Sequence, residues 1–322
     1  MQSEPLIVGV DVAKDELQLA THGPGTVSRR LANQAQAIQD WLATLAGGSV
    51  IAMESTGKCH GLLAELAHAA GMRVYVLNAR DVYFYAKALG TRGKTDRLDA
   101  QVIARYAAEH QAELRAWSPA PEILEQLQEM LKRRRVLTDQ RVAMRLSLRG
   151  VASLQSVNDL LDQAFACALE ELDAKVLGLV DSDRKLHDDV ARLQTITGFG
   201  MQASVLLAAL FNRIDFGNAD AVVAYSGLDP RPSDSGTKHG KRRLSKRGPS
   251  ILRRMMYLAA FAACHSKALG SLYKSLRARG FASTQALVIL ARKLLRVAWA
   301  IWRSGKTFDA SQMGVQNACV KT

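Results

Sequence analysis

Four carboxylates in the first third of the chain have the types and spacing for metal chemistry. Asp11 interrupts the apolar run IVGVDVA and Glu54 ends the apolar run VIAME, where a lone ionised carboxylate is costly to bury. Asp96 and Asp99 are three residues apart on a predicted helix, so they project from one face. Oxygen ligands without Cys or His select a hard cation, and the sequence therefore predicts a site for Mg²⁺ or Mn²⁺.

Each carboxylate also has a structural interpretation. Asp96 would be a helix N-cap with Asp99 at the third position, where acids favour the helix dipole. Glu54 would be an exposed strand end, and Asp11 would belong to a phosphate loop of the actin and sugar-kinase type, which also opens with an aspartate in a hairpin. The order of all four, a strand Asp, a strand Glu and a helical Asp pair, is more specific than any one of them.

The elements that must position these acids are predicted to form an α/β domain, a sheet with helices, in residues 1–115. LIVGVDVA and ELQLATH predict a hairpin, and VSRRLAN predicts a possible third strand. After a crossing helix, SVIAMEST and RVYVLNA predict two more strands, separated by the helix GLLAELAHAA, which ends at Gly71. From Thr95 onward, KTDRLDAQVIARYAAEH has helical spacing, so this segment ends on a helix.

Residues 116–195 read as a helical spacer. After WSPAPE, whose prolines indicate a linker, no Gly or Pro occurs until Gly150, and apolar residues fall at heptad-like spacing with Arg134 and Arg141 at seam positions. A second helical stretch follows, which either folds back on the first or pairs with another subunit. The pattern predicts a coiled-coil or dimerisation segment, and with it a homo-oligomer, a dimer or a tetramer.

The excess positive charge is concentrated in the last third of the chain. The net charge is +13, but residues 1–115 hold 12 basic and 12 acidic side chains, 116–197 hold 11 and 13, and 198–322 hold 20 and 5. A phosphate backbone requires such a local excess, whereas solubility alone does not. We therefore expect a nucleic-acid partner. The alternatives are a generally basic surface or an anionic membrane face, although no strongly amphipathic basic helix favours the membrane.

Residues 196–322 read as a mainly α-helical segment. It opens with TITGFGMQASVLLAAL, in which Gly198 and Gly200 have the spacing of a helix-hairpin-helix turn. Backbone N–H groups at such a turn bind a phosphate without contacting the bases. An ordinary tight connection between helices explains the same glycines.

The loop DPRPSDSGTKHGKRRLSKRGPS combines serines with a cluster of cations. Local chemistry does not distinguish Ser233, Ser235 and Ser245, because serine is an ordinary turn residue. Cations here would hold a scissile phosphate and stabilise its developing charge, whereas the alternative is a disordered basic loop that only touches backbone. The nucleic-acid-binding residues predicted here are Lys238, Lys241, Arg242, Arg243, Lys246 and Arg247, with His239 among them.

The chain resembles the DEDD transposases of bacterial insertion sequences over nearly its whole length. GVDVAKDELQLA, MESTG and KTDRLDA resemble their N-terminal domain, and TITGFG, AYSGLDPRPSDSG and LSKRGPSILRR resemble their C-terminal domain. The resemblance implies an N-terminal RuvC-like domain of the ribonuclease H superfamily, a helical coiled-coil spacer, and a mainly α C-terminal transposase domain with a helix-hairpin-helix-like motif.

The same resemblance implies the roles of the site residues. The metal-binding acids of the family carry over to Asp11, Glu54, Asp96 and Asp99, and the nucleophile of its SG motif carries over to Ser235. It further implies donor and target DNA as partners, and a structured noncoding guide RNA encoded beside the gene.

The same residues also fit other classes of function. A RuvC-like junction-cutting nuclease would use metal-activated water, with Ser235 a bystander. An actin-like kinase would explain only the Asp11 hairpin, and a non-catalytic nucleic-acid-binding protein would leave the buried carboxylates unexplained. The start MQSEPLIVGV lacks a secretion pattern, no apolar run reaches about 18 residues, and the four cysteines are scattered, so we expect a soluble, cytoplasmic protein without membrane contact.

Overall fold

The computed structural model describes residues 5–23, 27–55, 57, 59–90, 95–231, 234–235, 238–239 and 242–313. Contacts divide the chain into two compact units, Met1–Pro119 and Ala120–Thr322. The linker predicted at WSPAPE lies at this division. Each unit has its own hydrophobic core.

The first unit is a mixed sheet flanked by helices. In chain order its elements are β1 (Ile7–Val12), β2 (Glu16–Thr21), β3 (Ser28–Ala32), α1 (Ala35–Leu42), β4 (Val50–Glu54), α2 (Gly61–Ala69), β5 (Arg73–Leu77), α3 (Ala79–Ala88) and α4 (Asp96–His110). The sheet order is β3-β2-β1-β4-β5, with β1–β2 and β2–β3 antiparallel and β1–β4 and β4–β5 parallel. The predicted hairpin and the three other predicted strands are confirmed.

Side-chain alternation divides this sheet between two cores. Val8 and Val10 of β1 pack with α1 and α2 on one face. Val50 and Ala52 of β4 pack with α3 and α4 on the other. The sequence pattern does not predict helix α3, because ARDVYFYAKA has aromatic residues around much of its circumference and no clear apolar stripe.

The second unit is mainly α-helical. Its helices are α5 (Glu122–Leu148), α6 (Gln155–Asp181), α7 (Arg184–Gln194), α8 (Met201–Arg213), α9 (Ala219–Ser226), α10 (Ser250–Cys264), α11 (Gly270–Ala278) and α12 (Ser283–Ser304). Among the described residues between α9 and α10 are four two-residue strands: β6 (Pro230–Arg231), β7 (Asp234–Ser235), β8 (Lys238–His239) and β9 (Arg243–Leu244). Helix α8 is the centre of the core, with nine consecutive buried residues from Ala203 to Phe211.

The two long helices of the predicted spacer form an antiparallel hairpin. Arg134 donates two hydrogen bonds to Asp173, at 2.5 and 2.8 Å, and Arg141 donates two to Asp162, both at 2.8 Å. The arginines at the seam are therefore paired with acids of α6, and the hydrogen bonds from Arg141 lower the pKa of Asp162. The start of α5, from Leu124 to Leu131, lies in the same core as α8 and α10, so the spacer and the C-terminal segment share one unit.

In the part of the chain that the structure describes, no helix is both long and apolar enough to cross a membrane.

Candidate active site

The register of the parallel strands sets two of the four candidate acids side by side. Val10 of β1 is opposite Met53 of β4, so the next residues in the same register, Asp11 and Glu54, face each other across neighbouring strands. Adjacent strands lie about 4.8 Å apart, and residues paired in a parallel register point to the same face. Both acids are half-buried at the carboxyl ends of their strands. Two carboxylates thus share one edge and one face of the sheet.

That face is the one covered by α4. Gly9 precedes Asp11 by two residues and therefore lies on the same face of β1. A Cβ atom at Gly9 would stand 2.2 Å from the carbonyl oxygen of Ala100 and 2.3 Å from the amide nitrogen of Ala104. The absence of a side chain at Gly9 thus lets the backbone of α4 touch the strand. This contact fixes the position of α4 at Ala100, the residue that follows Asp99.

The helical acids lie in the first turn of α4. The side chain of Thr95 accepts a hydrogen bond from the amide of Leu98 at 3.3 Å, so Thr95 is the N-cap and the interpretation of Asp96 as the cap is wrong. Asp96 is exposed and Asp99 is half-buried. Neither is needed to cap the helix, although both favour its dipole.

The structure places Asp11 and Glu54 side by side on the face that α4 covers, and Asp96 and Asp99 in the first turn of α4. Among the residues that it describes, no group of three or more His, Cys, Asp or Glu side chains is close enough together to hold a metal ion. Asp11 and Glu54 form the adjacent pair, and Asp96 and Asp99 begin the helix that covers their face. The donor set consists of oxygen atoms alone, which fits a hard divalent cation.

The second candidate site lies on a hairpin between α9 and α10. Strand β6 pairs with β9, and further out β7 pairs with β8, with Ser235 opposite Lys238 and Asp234 opposite His239. Ser235 therefore sits near the turn of this hairpin. Ser233 and Lys241 lie outside the described residues.

The base of the hairpin is fixed by close backbone contacts. The amide of Ser245 donates to the carbonyl of Asp229 and that of Lys246 to the carbonyl of Gly227, both at 3.0 Å. Gly227 has φ +69°, and a Cβ atom at Gly248 would stand 1.8 Å from the carbonyl oxygen of Tyr225. We call this contact between residues 225–229 and 245–248 the hairpin clamp. It accounts for Gly227 and Gly248 as packing requirements.

Side chains complete the clamp. Ser245 is 5% exposed and its hydroxyl donates a hydrogen bond to the Asp229 carboxylate. Arg253 of α10 donates to the carbonyl oxygens of Ser226, at 3.2 Å, and Gly248. Ser245 was equal to Ser235 as a local candidate, but its hydroxyl is buried and engaged inside the fold.

Four cations at the base of the hairpin are accessible to solvent. Arg242, Arg243, Lys246 and Arg247 are all exposed. Lys246 has φ +54°, a conformation that residues other than glycine rarely adopt, and its backbone hydrogen bond to Gly227 holds it there. The clamp thus holds the backbone at Lys246 and Arg247, whose side chains are exposed.

The two glycines of the TITGFG turn have different surroundings. Gly198 has φ +93°, and a Cβ atom there would stand 2.3 Å from the carbonyl oxygen of Ala259, so this glycine is required for packing against α10. Gly200 is exposed, lies at the N-cap of α8 and has open space around it. Of the two, Gly200 has the accessible backbone that a phosphate contact needs.

Comparisons with known proteins match both units. A family model described as a transposase, of the DEDD IS110 type, matches residues 8–157. A second, described as the transposase IS116/IS110/IS902 family, matches residues 190–274. The first match includes the four acids, and the second includes Ser235, the clamp and the TITGFG turn.

Relatives extend the similarity along the chain. The chain is 28% identical to the pilin gene-inverting protein of Moraxella bovis over 262 residues, which are 80% of this chain and 81% of the relative. It is 25% identical to the transposase for insertion sequence element IS1111A of Coxiella burnetii, over 94% of this chain and 91% of the relative. It is 34% identical to an uncharacterized 43.6 kDa protein of insertion element IS110 of Streptomyces coelicolor, over 44% of this chain and 34% of the relative.

The two matches, in chain order and on the two candidate sites, define a transposase, an enzyme of DNA transposition and recombination. The chain belongs to the IS110 family of insertion-sequence transposases, which carry the DEDD motif.

Proposed function

We propose that this transposase cuts and rejoins DNA at a metal site formed by Asp11, Glu54, Asp96 and Asp99, with Ser235 as the nucleophile. The observation that carries the metal site is the side-by-side placement of Asp11 and Glu54 on the face covered by α4. When bound there, Mg²⁺ or Mn²⁺ would polarise a phosphate oxygen. The mixed sheet with its β1–β2 hairpin supports a RuvC-like assignment of the first unit.

The covalent step balances as a phosphoryl transfer. The Oγ atom of Ser235 attacks a DNA phosphorus, the new Oγ–P bond forms, and the bond from phosphorus to a sugar oxygen breaks. The hydroxyl proton passes to a base, and the leaving sugar oxygen takes up a proton from water, so the products are a serine phosphodiester and a sugar hydroxyl. Attack by another sugar hydroxyl on the serine ester then rejoins the strand. The name of the Moraxella bovis relative, a gene-inverting protein, agrees with a reaction that rejoins what it cuts.

The burial of Ser245 argues against it as the alternative nucleophile. Ser245 is enclosed in the clamp, whereas Ser235 lies on the hairpin that extends from it, opposite Lys238. The exposed Arg242 and Arg243 on the returning strand would bind the phosphate backbone.

The nucleophile is tested with a nicked suicide substrate. We expect wild-type protein to form a protein–DNA adduct that survives denaturant and maps to Ser235, and we expect Ser235→Ala to lose both adduct and recombination. Ser233→Ala is the neighbouring control and should retain activity. Cleavage by Ser235→Ala at the wild-type rate would instead favour the junction-cutting nuclease, in which water attacks.

The metal site is tested with isosteric variants. Asp11→Asn and Glu54→Gln should lose strand cleavage while folding and DNA binding persist, because they keep side-chain volume but remove the charge that binds a cation. Asp15→Asn is a matched control on the exposed β1–β2 turn and should cleave normally. Normal cleavage by Asp11→Asn in Mg²⁺ would refute the site.

We propose the four exposed cations as the phosphate-binding surface. Neutralising Arg242, Arg243, Lys246 and Arg247 together should weaken binding to all DNA sequences. The salt dependence should flatten by up to about one unit of slope per lost phosphate contact. An unchanged slope would place these side chains away from DNA.

We also propose a homo-oligomer and a guide RNA. At the tip of the α5–α6 hairpin, Leu146 and Leu160 are 63% and 68% exposed, which supports contact with a second copy. Leu146→Lys with Leu160→Lys should reduce the mass measured by light scattering, and an unchanged mass would refute this contact. The guide RNA rests on the family resemblance, and strand exchange that depends on the flanking transcript of the element would test it.

A further inference from the structure

Helix α3 has a water-facing stripe of unusual composition. Arg80, Tyr83, Phe84 and Lys87 follow the spacing i, i+3, i+4, i+7 and are all exposed, with 53% of Tyr83 and 49% of Phe84 accessible. The opposite side of the helix, with Val82 buried, packs on the core beside β4 and β5. Two large aromatic rings therefore occupy the side of a short helix that normally carries charged residues. We call these four residues the α3 stripe.

The rings and the cations of the α3 stripe are arranged around one another. The ring centroids of Tyr83 and Phe84 are 5.4 Å apart at 71°. The guanidinium carbon of Arg80 is 5.5 Å from the Phe84 centroid, and the Nζ atom of Lys87 is 4.7 Å from the Tyr83 centroid. Among the contacts of the described residues, neither cation has an acidic partner. Both charges are therefore available to an anion.

The α3 stripe begins at the edge of the sheet where the candidate acids lie. Glu54 of β4 is paired with Leu77 at the end of β5. The next residue, Asn78, caps α3 by accepting a hydrogen bond from the amide of Arg80 at 2.9 Å. A strand of nucleic acid bound at Asp11 and Glu54 would thus lie close to the α3 stripe, because α3 begins two residues after Leu77, the partner of Glu54.

We propose that the α3 stripe binds unpaired nucleotides, with bases stacked on Tyr83 and Phe84 and phosphates held by Arg80 and Lys87. Exposed rings beside cations are the common means of binding single strands, because every base has a face that stacks on an aromatic ring. The stripe spans about 10 Å along the helix, enough for about three nucleotides. The proposal extends the transposase activity but needs neither the metal nor Ser235.

Binding of the full-length chain to labelled single strands tests the stripe. Anisotropy is measured with oligo(dT), oligo(U) and a duplex of the same length. We expect Tyr83→Ala with Phe84→Ala to weaken single-strand binding about 10- to 100-fold, and duplex binding by less than about threefold. A larger loss of affinity for oligo(dT) identifies DNA as the source of the nucleotides, and a larger loss of affinity for oligo(U) identifies RNA.

Charge and ring contributions are separated by further variants. Arg80→Gln with Lys87→Gln should reduce the salt slope of single-strand binding by up to about 1.4 units, because each contact to a single-stranded phosphate contributes about 0.7. The ring variants should leave the slope unchanged. Tyr83→Trp with Phe84→Trp keeps two aromatic faces and should retain the wild-type affinity. Phe261→Ala removes an equally exposed ring, 51% accessible, from α10 and should bind normally.

The proposal is overturned by unchanged single-strand affinity in the double alanine variant, or by equal losses on single strand and duplex. It is also overturned if that variant loses a wild-type oligomer in light scattering, which would make the stripe a contact between copies. The Asp11→Asn variant should still bind single strands. A result that contradicts the proposed metal site is therefore distinguishable from one that contradicts the proposed role of the α3 stripe.

Discussion

Gly9→Ala tests how the sheet positions the helix that carries two of the four acids. The new Cβ atom would lie 2.2 Å from a backbone oxygen of α4, and the helix must retreat until that distance reaches at least 3.0 Å. Backbone atoms cannot move aside as a flexible side chain does, so the overpacking cost lies at the upper end of about 1–3 kcal/mol. Ala loses less conformational entropy than Gly when the chain folds, and this difference offsets about 0.5–1 kcal/mol of the overpacking cost. We expect a net loss of about 2 kcal/mol.

Hydrogen–deuterium exchange localises this effect. Amides of β1 and α4 should exchange about 30-fold faster in the variant, while those of the second unit keep their protection. Strand cleavage should fall about 100-fold or more, because a displacement of about 1 Å in a catalytic group has that effect. Gly47→Ala is the control in the same unit, with an ordinary φ angle and open space around the added methyl group.

The outcome that would refute this reasoning is equally specific. If Gly9→Ala exchanges and cleaves like the wild type, α4 does not lie on β1 at this point, and the shared face of Asp11, Glu54 and the start of α4 has no structural support. If the variant is destabilised but cleaves normally, Asp96 and Asp99 do not need their position for chemistry.

Three further perturbations have defined outcomes. Gly178→Ala, in open space inside α6, should raise the free energy of unfolding by about 0.5–1 kcal/mol in urea melts of the second unit. Asp189→Ala, at a buried acid that accepts a hydrogen bond from the Trp302 indole at 3.1 Å, should lower it by about 2–3 kcal/mol. Burial and the hydrogen bond to Glu109 raise the pKa of Tyr85 to about 12. The stabilisation from the contact between Tyr85 and Glu109 is therefore complete below pH 10 and is lost as the pH rises through 12. An ultraviolet titration of the Tyr85→Phe variant should lack the phenol that titrates at about pH 12 in the wild type.

Hydrophobic patterning predicted the sheet well because its strands have strong local signals. Apolar runs around Asp11 and Glu54 located β1 and β4, and the short polar break after Val12 predicted the hairpin. Local patterns did not predict α3, because its amphipathic signal is obscured when the water-facing side carries Tyr83 and Phe84. The feature that concealed the helix is the same one that indicates a binding surface.

The candidate sites were predictable as sets of residues but not as geometry. Spacing singled out Asp96 and Asp99, but the N-cap at Thr95 is a matter of one hydrogen bond that the pattern does not resolve. The TITGFG motif suggested two equivalent glycines, whereas the structure gives Gly198 a packing role against α10. The contact of Gly198 with Ala259 joins residues about 60 positions apart, so no local pattern contains it.

The hairpin clamp separates the structural residues of the second site from those available for chemistry. Gly227 and Gly248 permit a backbone approach that no Cβ atom would allow, and the Ser245 hydroxyl is enclosed against Asp229. These positions are explained by packing alone, so they need no catalytic role. The hairpin extends from this clamp, with β6 paired to β9 and β7 paired to β8. A fixed base orients an outer segment, and the residue it carries toward the turn, opposite Lys238, is Ser235.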